Sequence, residues 1–355
     1  MVQPFPLVIV EGTAFERGRQ HGAQAAERIA VAIETHRRAI KHFSGLDWEG
    51  AVRRAAAYEA VLRQRAPEML EELRGIAEGA GIAFADVLTL NVRAEMSFTP
   101  RMAEGCTSFA LLPEATADGH TYLGQNWDNL APLVDACIVL KAMEAGRPRY
   151  VTVAEAGVPA MVGLNAAGIG IVRNALIARC DNSEVGLPMN AVHYQALWSE
   201  VIADAVGAVT AGRLATPWFY LIAAVGDAIG LEAAPPRYDL VHDRGGVLTH
   251  ANHYLSSRLG VQDVGPSVIP DSLFRDHRLH RFLESKRGLL DVPTIFTFMR
   301  DHFSYPDSIC RHADERDPAD GRMATVFSVV MDLDARTLYL SDGQPCQNGY
   351  RAIAL

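Results

Sequence analysis

Glu104-Gly105-Cys106-Thr107-Ser108-Phe109 places a glycine directly before a nucleophilic cysteine, at the start of a predicted β-strand. Glycine accepts backbone conformations that expose its carbonyl group to attack by the following side chain. A thiol that attacks this carbonyl moves the acyl group from nitrogen to sulfur, and water can then hydrolyse the thioester. The stretch is therefore compatible with self-cleavage of the Gly105–Cys106 bond.

Cleavage at this bond makes Cys106 a new amino terminus, which supplies its own base. An α-amino group titrates at about 7.7 to 8.0 and a thiol at about 8.5, so a proton passes easily between them near neutral pH. A Gly-Cys dipeptide alone is a weak signal. The prediction therefore depends on the segments that accompany it.

The spacing of apolar residues changes around Cys106. From Thr13 to about Val92, apolar residues recur at steps of three and four, which predicts several helices. Pro67 suits the first turn of one of them, and the segment from Gly79 to Gly81 suits a helix end. After Cys106, short β-type runs follow one another with turn residues between them, which favours an antiparallel sheet. These runs are Thr107 to Leu112, Thr121 to Gly124, Ala136 to Met143, Tyr150 to Ala154, Met161 to Leu164 and Ile169 to Val172.

The second half of the chain alternates between helical and strand-like stretches. Helices are predicted at Asn190 to Gly230, with breaks near Gly212 and Pro217, and at Asp271 to Leu290 and Val292 to His302. Strands are predicted at Tyr238 to His242, Val247 to Thr249, Ala324 to Leu333 and Thr337 to Leu340. This order of helices, sheet, helices and sheet predicts an α+β fold, compatible with two sheets stacked between helical layers.

The composition of the 355 residues is that of a globular protein, with 49% hydrophobic and 21% charged residues. The net charge of −9 provides no positive field for a phosphate backbone, so we expect no nucleic-acid partner. The first ten residues lack the features of a signal peptide, and no apolar run is long enough to span a membrane. A cytoplasmic protein without a membrane partner is expected.

Neither the cysteines nor the histidines indicate a metal site. The five cysteines include no CxxC pair, and all except Cys106 are interpreted as buried apolar thiols. His250 with His253, and His277 with His280, are three residues apart, but the spacing supplies no third ligand. The glycine-rich stretch Gly163 to Gly170 has the wrong spacing for a dinucleotide loop and is better explained as a hairpin. No metal or other cofactor is predicted.

Five further segments strengthen the interpretation of Cys106. With it, they resemble the acyl-coenzyme A:isopenicillin N acyltransferase family (peptidase family C45), a branch of the Ntn hydrolases, over nearly the whole chain. The segments are Gly12-Thr-Ala-Phe-Glu-Arg-Gly18-Arg-Gln-His21-Gly22, Asn91-Val-Arg93-Ala-Glu95, Gly124-Gln125-Asn126-Trp127-Asp128, His250-Ala-Asn252-His253-Tyr254 and Ser308-Ile-Cys310-Arg311-His312.

The resemblance implies a fold. It is a four-layer αββα sandwich of the Ntn hydrolase type, with two stacked and mainly antiparallel sheets flanked by helices. Residues 1–355 are expected to form a single domain. Autocleavage at Gly105–Cys106 then yields an α fragment of residues 1–105 and a β fragment of residues 106–355, which stay associated.

The resemblance also implies four catalytic residues. Cys106 is the nucleophile, Asp128 orients the new amine, Asn252 helps to form the oxyanion hole, and Arg311 supports the region of the nucleophile. A carboxamide suits an oxyanion hole because it donates a hydrogen bond without bringing a competing proton. Arg311 would either pair with Asp128 or lower the pKa of the Cys106 thiol.

Asn126 and Trp127 lie in the same motif as Asp128 and are candidate substrate-binding residues. The expected partner is a small N-acyl compound, whose amide bond is hydrolysed through an acyl-enzyme. An acyltransferase that moves an acyl group from a thioester or an amide to an amine is the alternative. Two rivals stay open: an inactive Ntn-fold binding protein, and a cysteine hydrolase that uses His250 or His253 as its base without cleavage.

Overall fold

The computed structural model describes residues 2–96, 104–179 and 185–355. The helices in these ranges are α1 (Ala14–Ser44), α2 (Trp48–Arg65), α3 (Pro67–Ala80), α4 (Phe84–Asn91), α5 (Arg93–Met96), α6 (Met189–Leu197), α7 (Ile202–Thr210), α8 (Gly265–Val268), α9 (Ser272–Glu284) and α10 (Val292–Phe298). The strands are β1 (Leu7–Glu11), β2 (Gly105–Leu111), β3 (Tyr122–Leu130), β4 (Cys137–Met143), β5 (Tyr150–Glu155), β6 (Val162–Asn165), β7 (Gly170–Ala175), β8 (Ala178–Arg179), β9 (Trp218–Ala224), β10 (Asp227–Ala234), β11 (Arg237–Val241), β12 (Val247–His250), β13 (Gln262–Asp263), β14 (Met323–Asp332), β15 (Thr337–Asp342) and β16 (Arg351–Ala354).

The predicted N-terminal helices are confirmed, and local chemistry explains their ends. Helix α1 begins at a capping box, in which the Thr13 side chain accepts from the Glu16 amide and the Glu16 carboxylate accepts from the Thr13 amide. It ends at Gly45, which has the left-handed conformation that glycine adopts without strain. Pro67 opens α3 and Gly81 caps it, as the sequence predicts.

Helices α1 and α3 pack so closely that their backbones nearly touch. A Cβ atom on Gly18 of α1 would lie 2.0 Å from the carbonyl oxygen of Glu72 on α3. The side chain of Glu72 is buried too, and it pairs with Arg17 at 2.9 Å. This close contact explains the glycines at positions 18 and 22, both of which face the backbone of α3.

Two sheets form the centre of the fold. The larger has eight strands in the order β1-β4-β5-β6-β7-β9-β10-β11, and the smaller has six in the order β12-β2-β3-β14-β15-β16. Strand β1 runs parallel to β4, and the other neighbouring strands in both sheets are antiparallel. Strands β6 and β7 form the hairpin predicted around Gly168.

Two hydrophobic cores define the layers. In the first core, side chains such as Ala110 and Leu123 from the smaller sheet meet the larger sheet, whose outer side is covered by α1 and other helices. In the second, Leu279 of α9 and Ile295 of α10 pack on Phe109 of β2. The order helix, sheet, sheet, helix confirms the predicted αββα sandwich.

The prediction of helix from Asn190 to Gly230 is wrong in its second part. Residues Met189–Leu197 and Ile202–Thr210 are helical, but Trp218–Ala224 and Asp227–Ala234 form the hairpin β9–β10, which turns at Gly226. Strand β9 is buried on both faces over most of its length, so its sequence lacks the alternation that identifies a half-exposed strand. Strand β3 also continues to Leu130, beyond the predicted end at Gly124.

Within the described residues, none of the helices combines the length and apolar character needed to cross a membrane.

Gly18→Ala should destabilise the fold by about 3 kcal/mol, because the added methyl group meets the backbone carbonyl of Glu72 and neither helix can yield easily. Gly207→Ala is the matched control. Gly207 also lies in a helix, α7, but an added Cβ would have no neighbour within 4 Å, so alanine should stabilise by about 0.5 to 1 kcal/mol. Urea unfolding measures the free energy of unfolding of both variants. Equal changes in this free energy would contradict the close packing of α1 and α3.

Candidate active site

The Gly105–Cys106 peptide begins strand β2, which lies between β12 and β3. In the register with β3, Gly105 lies opposite Asp128 and Cys106 lies opposite Trp127. Gly105 and Cys106 are both buried. The predicted cleavage bond is thus an interior strand segment in the uncut chain, paired with the strand that carries the predicted acidic residue.

Gly105 leaves little space for a side chain. A Cβ atom at this position would lie 3.1 Å from Cβ of Asp128, 3.2 Å from Oδ2 of Asp128 and 3.4 Å from Nε of Arg311. The absence of a side chain therefore lets a carboxylate and a guanidinium approach the backbone of the Gly105–Cys106 bond.

Asn252 holds the chain on both sides of Gly105. Its Oδ1 accepts a hydrogen bond from the Cys106 amide at 2.9 Å, and its Nδ2 donates to the Glu104 carbonyl at 3.2 Å. Oδ1 also accepts from Nη2 of Arg275 at 2.7 Å, and Nδ2 also donates to the Ala175 carbonyl at 3.1 Å. Two donors face the oxygen and two acceptors face the nitrogen, so only one orientation of the amide fits.

Asp128 has one free carboxylate oxygen beside Gly105. Oδ1 accepts from Thr325 Oγ1 at 2.7 Å, whereas Oδ2 lies 3.4 Å from Nε of Arg311 without a hydrogen bond. Burial raises the pKa of Asp128 to about 6, against the opposing effect of the Arg311 charge. At neutral pH this carboxylate is therefore mostly ionised but still able to take up a proton.

Arg311 belongs to this site and not to a solvated loop, because only 8% of the residue is exposed. Its guanidinium pairs with Asp128, with Asp271 and with the more exposed Asp307. Its backbone is held by Thr325, whose Oγ1 accepts from the Arg311 amide at 2.8 Å. Of the two roles left open for Arg311, the geometry shows the pairing with Asp128.

Arg275 and Asp271 are central to the site, although the sequence did not single them out. Arg275 is fully buried, and its Nη1 donates to the Cys106 carbonyl at 2.5 Å and to Thr107 Oγ1 at 2.8 Å. Asp271 accepts from Nε of Arg275 at 2.7 Å and also pairs with Arg311. Their spacing of four residues was the available signal, but it equally suits an exposed ion pair on a helix.

Asn174 of β7 is a second residue that sequence reasoning missed. Its Nδ2 donates to the Cys106 carbonyl at 3.3 Å and to the His250 carbonyl at 3.0 Å, and its Oδ1 accepts from Ser108. Asn174 lies in the larger sheet, so it ties the nucleophile strand to the opposite layer.

The Cys106 thiol is strongly protonated in the uncut chain. Burial raises the pKa of this thiol, and the carboxylates of Glu104 and Asp128 raise the pKa further. The thiolate is the reactive form, so attack by Cys106 needs a base to remove the proton.

Asn126 and Trp127 are both buried beside the nucleophile, and their side chains have protein partners. Asn126 Nδ2 donates to the backbone carbonyls of Met299 and Ile309, at 2.9 and 2.7 Å. Trp127 donates through Nε1 to the Glu104 carboxylate at 2.9 Å, and its ring stacks on Phe327. Substrate binding by Asn126 and Trp127 stays a prediction.

Neither histidine of the proposed Cys-His rival is bonded to Cys106 among the described residues. Nδ1 of His250 lies 2.8 Å from the Ala251 carbonyl and Nε2 lies 2.9 Å from the Glu232 carboxylate, while the ring stacks on Phe219. Nδ1 of His253 lies 2.7 Å from Ser272 Oγ. Both rings are thus used to hold the segment around Asn252.

Comparison with known proteins assigns most of the chain to a described family. Residues 115–347 match the family described as acyl-coenzyme A:6-aminopenicillanic acid acyl-transferase. This segment starts after Cys106 and contains Asp128, Asn252 and Arg311.

Two individual proteins and one solved structure are also similar to this chain. The acyl-coenzyme A:6-aminopenicillanic-acid-acyltransferase 40 kDa form of Emericella nidulans is 29% identical over 343 residues, which cover 95% of this chain and 92% of that protein. An uncharacterised protein of Archaeoglobus fulgidus is 22% identical and covers 81% of this chain and 56% of that protein. A variant of the conjugated bile acid hydrolase of Clostridium perfringens superposes with a TM-score of 0.50 at 14% identity, over 70% of this chain and 92% of that chain.

The sandwich and its neighbours define a protein with the Ntn hydrolase fold. Since the matched segment is more than half of the chain, the chain belongs to the acyl-coenzyme A:6-aminopenicillanic acid acyl-transferase family.

Arg275→Gln should lower the free energy of unfolding by about 3 to 5 kcal/mol, because it leaves Asp271 as a poorly compensated buried charge and removes a donor from the Cys106 carbonyl. The control is Arg278→Gln on the same helix, where a partly exposed pair with Asp301 should be worth no more than about 1 kcal/mol. Urea unfolding is compared in chains that also carry Cys106→Ala. Similar losses in both variants would refute the central position of Arg275.

Proposed function

We propose that this protein cuts its own Gly105–Cys106 bond and that the freed N-terminal Cys106 then cleaves the amide bond of a small N-acyl compound. One observation carries the proposal: the candidate catalytic side chains surround a peptide bond of the chain itself. Asn252 bonds to Glu104 and Cys106, on either side of Gly105, while Asp128 and Arg311 lie against Gly105. A cysteine hydrolase that works uncut would instead need an accessible thiol, and Cys106 is fully buried.

The cleavage step starts with the Cys106 sulfur attacking the Gly105 carbonyl carbon. Asp128 takes the thiol proton in this proposal, because its Oδ2 pairs with Arg311 without accepting a hydrogen bond and burial raises the pKa of the carboxyl group to about 6. The tetrahedral intermediate collapses by breaking the C–N bond, and the proton passes to the departing amine. Water then hydrolyses the Gly105 thioester, which leaves residues 1–105 with a new carboxylate and residues 106–355 with a free amino terminus.

Cleavage also prepares the second reaction. The new α-amine of Cys106 replaces an amide that donated to Asn252 Oδ1, and it now provides a base for the adjacent thiol. The break also removes the covalent tether that keeps Glu104 against Asn252 Nδ2, so this nitrogen becomes available to an oxyanion. A donor of this kind is worth about 2.7 to 4 kcal/mol of barrier lowering.

Arg275 and Asn174 act as positioning residues in this proposal. Both donate to the carbonyl of Cys106, from α9 on one side of the sheet and from β7 in the opposite sheet. Two donors from different layers keep the backbone of the nucleophile in place after its amino side is cut. Such fixed geometry lowers the reorganisation needed in the transition state.

Acyl transfer is the second candidate, and the similarity to the Emericella acyltransferase is the observation that favours it. Hydrolysis and transfer share the acyl-cysteine and differ only in whether water or an amine resolves it. Products from a panel of N-acyl amino acids, measured with and without added amines and with acyl-coenzyme A thioesters, separate these acceptors. A rival without catalysis, an inactive binding protein, predicts no acylation of Cys106 by a thiol-reactive acyl probe.

Purified wild-type protein should consist of two fragments that meet at Gly105–Cys106, whereas Cys106→Ala should stay intact at 38.6 kDa and be inactive. Intact-mass spectrometry makes the comparison, because it identifies the cut bond directly. Cys137→Ala serves as the control, since Cys137 is also buried but lies in β4 of the larger sheet, and it should still be cleaved. Full activity of an uncut wild-type chain would defeat the proposal.

The rate of self-cleavage should rise with pH up to about pH 6 and then level off. Burial raises the pKa of Asp128 to about 6, and only the ionised carboxylate accepts the thiol proton. Below this pKa the ionised fraction, and with it the rate, falls about tenfold per pH unit. Gel analysis of chains made by cell-free translation at different pH values measures the rate. Asp128→Asn should be slow without the same inflection; an unchanged inflection would assign the titration to another group.

A further inference from the structure

A second cluster of reactive side chains lies next to the active site, because two of its members flank Arg311 in the sequence. His302, Cys310, His312 and Cys346 each direct one ligand-type atom into a common space, and all four atoms lie within 4.8 Å of one another. His302 follows α10, Cys310 and His312 flank Arg311, and Cys346 lies in the loop between β15 and β16. Three separate parts of the chain therefore meet at this cluster.

The distances fit four ligands around one small ion. Nε2 of His312 lies 3.1 Å from Nε2 of His302, 3.3 Å from Sγ of Cys346 and 3.8 Å from Sγ of Cys310. Zinc bonds of about 2.0 to 2.1 Å to nitrogen and about 2.3 Å to sulfur, arranged tetrahedrally, place two nitrogens about 3.3 Å apart and a nitrogen and a sulfur about 3.6 Å apart. The three distances from His312 are close to these values before any ion enters.

We propose that His302, Cys310, His312 and Cys346 form a structural Zn²⁺ site. Two thiolates and two imidazoles are a ligand set that zinc prefers, and four protein ligands leave no position open for a substrate. Two thiolates also balance the charge of the ion. The cluster escapes sequence inspection because Cys346 follows His312 by 34 residues, and Cys310-Arg311-His312 has no CxxC spacing.

The site would fix the segment that carries Arg311. Cys310 and His312 immediately flank Arg311, whose own side chain lies against Gly105 and pairs with Asp128 and Asp271. An ion bound by both flanking residues ties this segment to His302 and to Cys346. This part of the inference rests on the proposed function, because it assigns to zinc the positioning of an arginine at the cleavage bond.

The ordinary interpretation of these cysteines does not explain the cluster. Cys310 is buried, as the sequence analysis expects for an apolar thiol, but Cys346 is partly exposed and its sulfur lies 3.3 Å from an imidazole nitrogen. The main rival is a disulfide between Cys310 and Cys346. A disulfide would use both sulfurs and remove the thiolates that a zinc ion needs.

Metal content tests the site directly. Protein purified under reducing conditions, without a metal-affinity step, should contain one zinc per chain by mass spectrometry of the elements. The same measurement on Cys106→Ala, which cannot cleave itself, keeps the result independent of the proposed function. Cobalt added in place of zinc should give the visible absorption of a tetrahedral thiolate site.

His302→Ala is the most informative variant because His302 is exposed, so its loss leaves the core intact. It should lose zinc on dialysis against a chelator that leaves the wild type loaded. His42→Ala replaces another exposed histidine, near the end of α1, and should keep its zinc. A zinc-free wild type, equal zinc retention by the His302→Ala and His42→Ala variants, or a mass 2 Da low from a Cys310–Cys346 disulfide would overturn the proposal.

A second measurement separates the site from its effect. If zinc holds Arg311 in place, the His302→Ala chain should cleave more slowly than His42→Ala in cell-free translation, and added Zn²⁺ should rescue it partly. If the wild type binds zinc but the His302→Ala chain cleaves as fast as the His42→Ala chain, zinc does not position Arg311. Because zinc content is measured on Cys106→Ala as well, failure of the cleavage proposal leaves the test of the metal site valid.

Discussion

Four buried charges beside one peptide bond are the interaction on which the site depends. The charges alternate in sign along a series of three ion pairs: Asp128 with Arg311, Arg311 with Asp271, and Asp271 with Arg275. Ions inside a protein are costly unless they are paired and hydrogen-bonded, and here each charge compensates the next. The first and last members of this series both lie at the Gly105–Cys106 segment, since Asp128 lies against Gly105 and Arg275 donates to the Cys106 carbonyl.

The sandwich gives this peptide two different surroundings. Cys106 belongs to the core between the two sheets, while the backbone of Gly105 faces the charged residues that come from β3, α9 and the Arg311 segment. Strand alternation makes this possible, because neighbouring residues point to opposite faces of a sheet. The thiol in the core and the carboxylate beside Gly105 therefore flank the same bond, and the charge of this carboxylate helps to raise the pKa of the thiol.

The sequence predicts one part of this site from local patterns and another part from the family resemblance, and it misses the contacts that only packing creates. The strand at Cys106 and the helices before it follow from short patterns, whereas Asp128, Asn252 and Arg311 follow from the resemblance. Asp128 also suited a turn in sequence terms, and only the pairing of β2 with β3 places it opposite Gly105. Arg275 has the spacing of an exposed helical ion pair, and its burial is a property of the packed layers. The hairpin β9–β10 was missed for a related reason, since burial on both faces erases the alternation that identifies a strand.

The hydrogen bonds between the Asn252 side chain and the backbone at residues 104 and 106 determine when activity can appear. The Asn252 side chain binds a backbone amide 146 residues earlier in the chain, and the Asn174 side chain that binds the same residue lies in the other sheet. Under the proposed reaction, the chain's first turnover is performed on itself and requires both sheets and α9 to be assembled. Self-cleavage then couples activity to correct folding, and because it is intramolecular this coupling does not depend on protein concentration. A misfolded or truncated molecule never acquires its reactive terminus, so only a correctly folded one can act on a substrate.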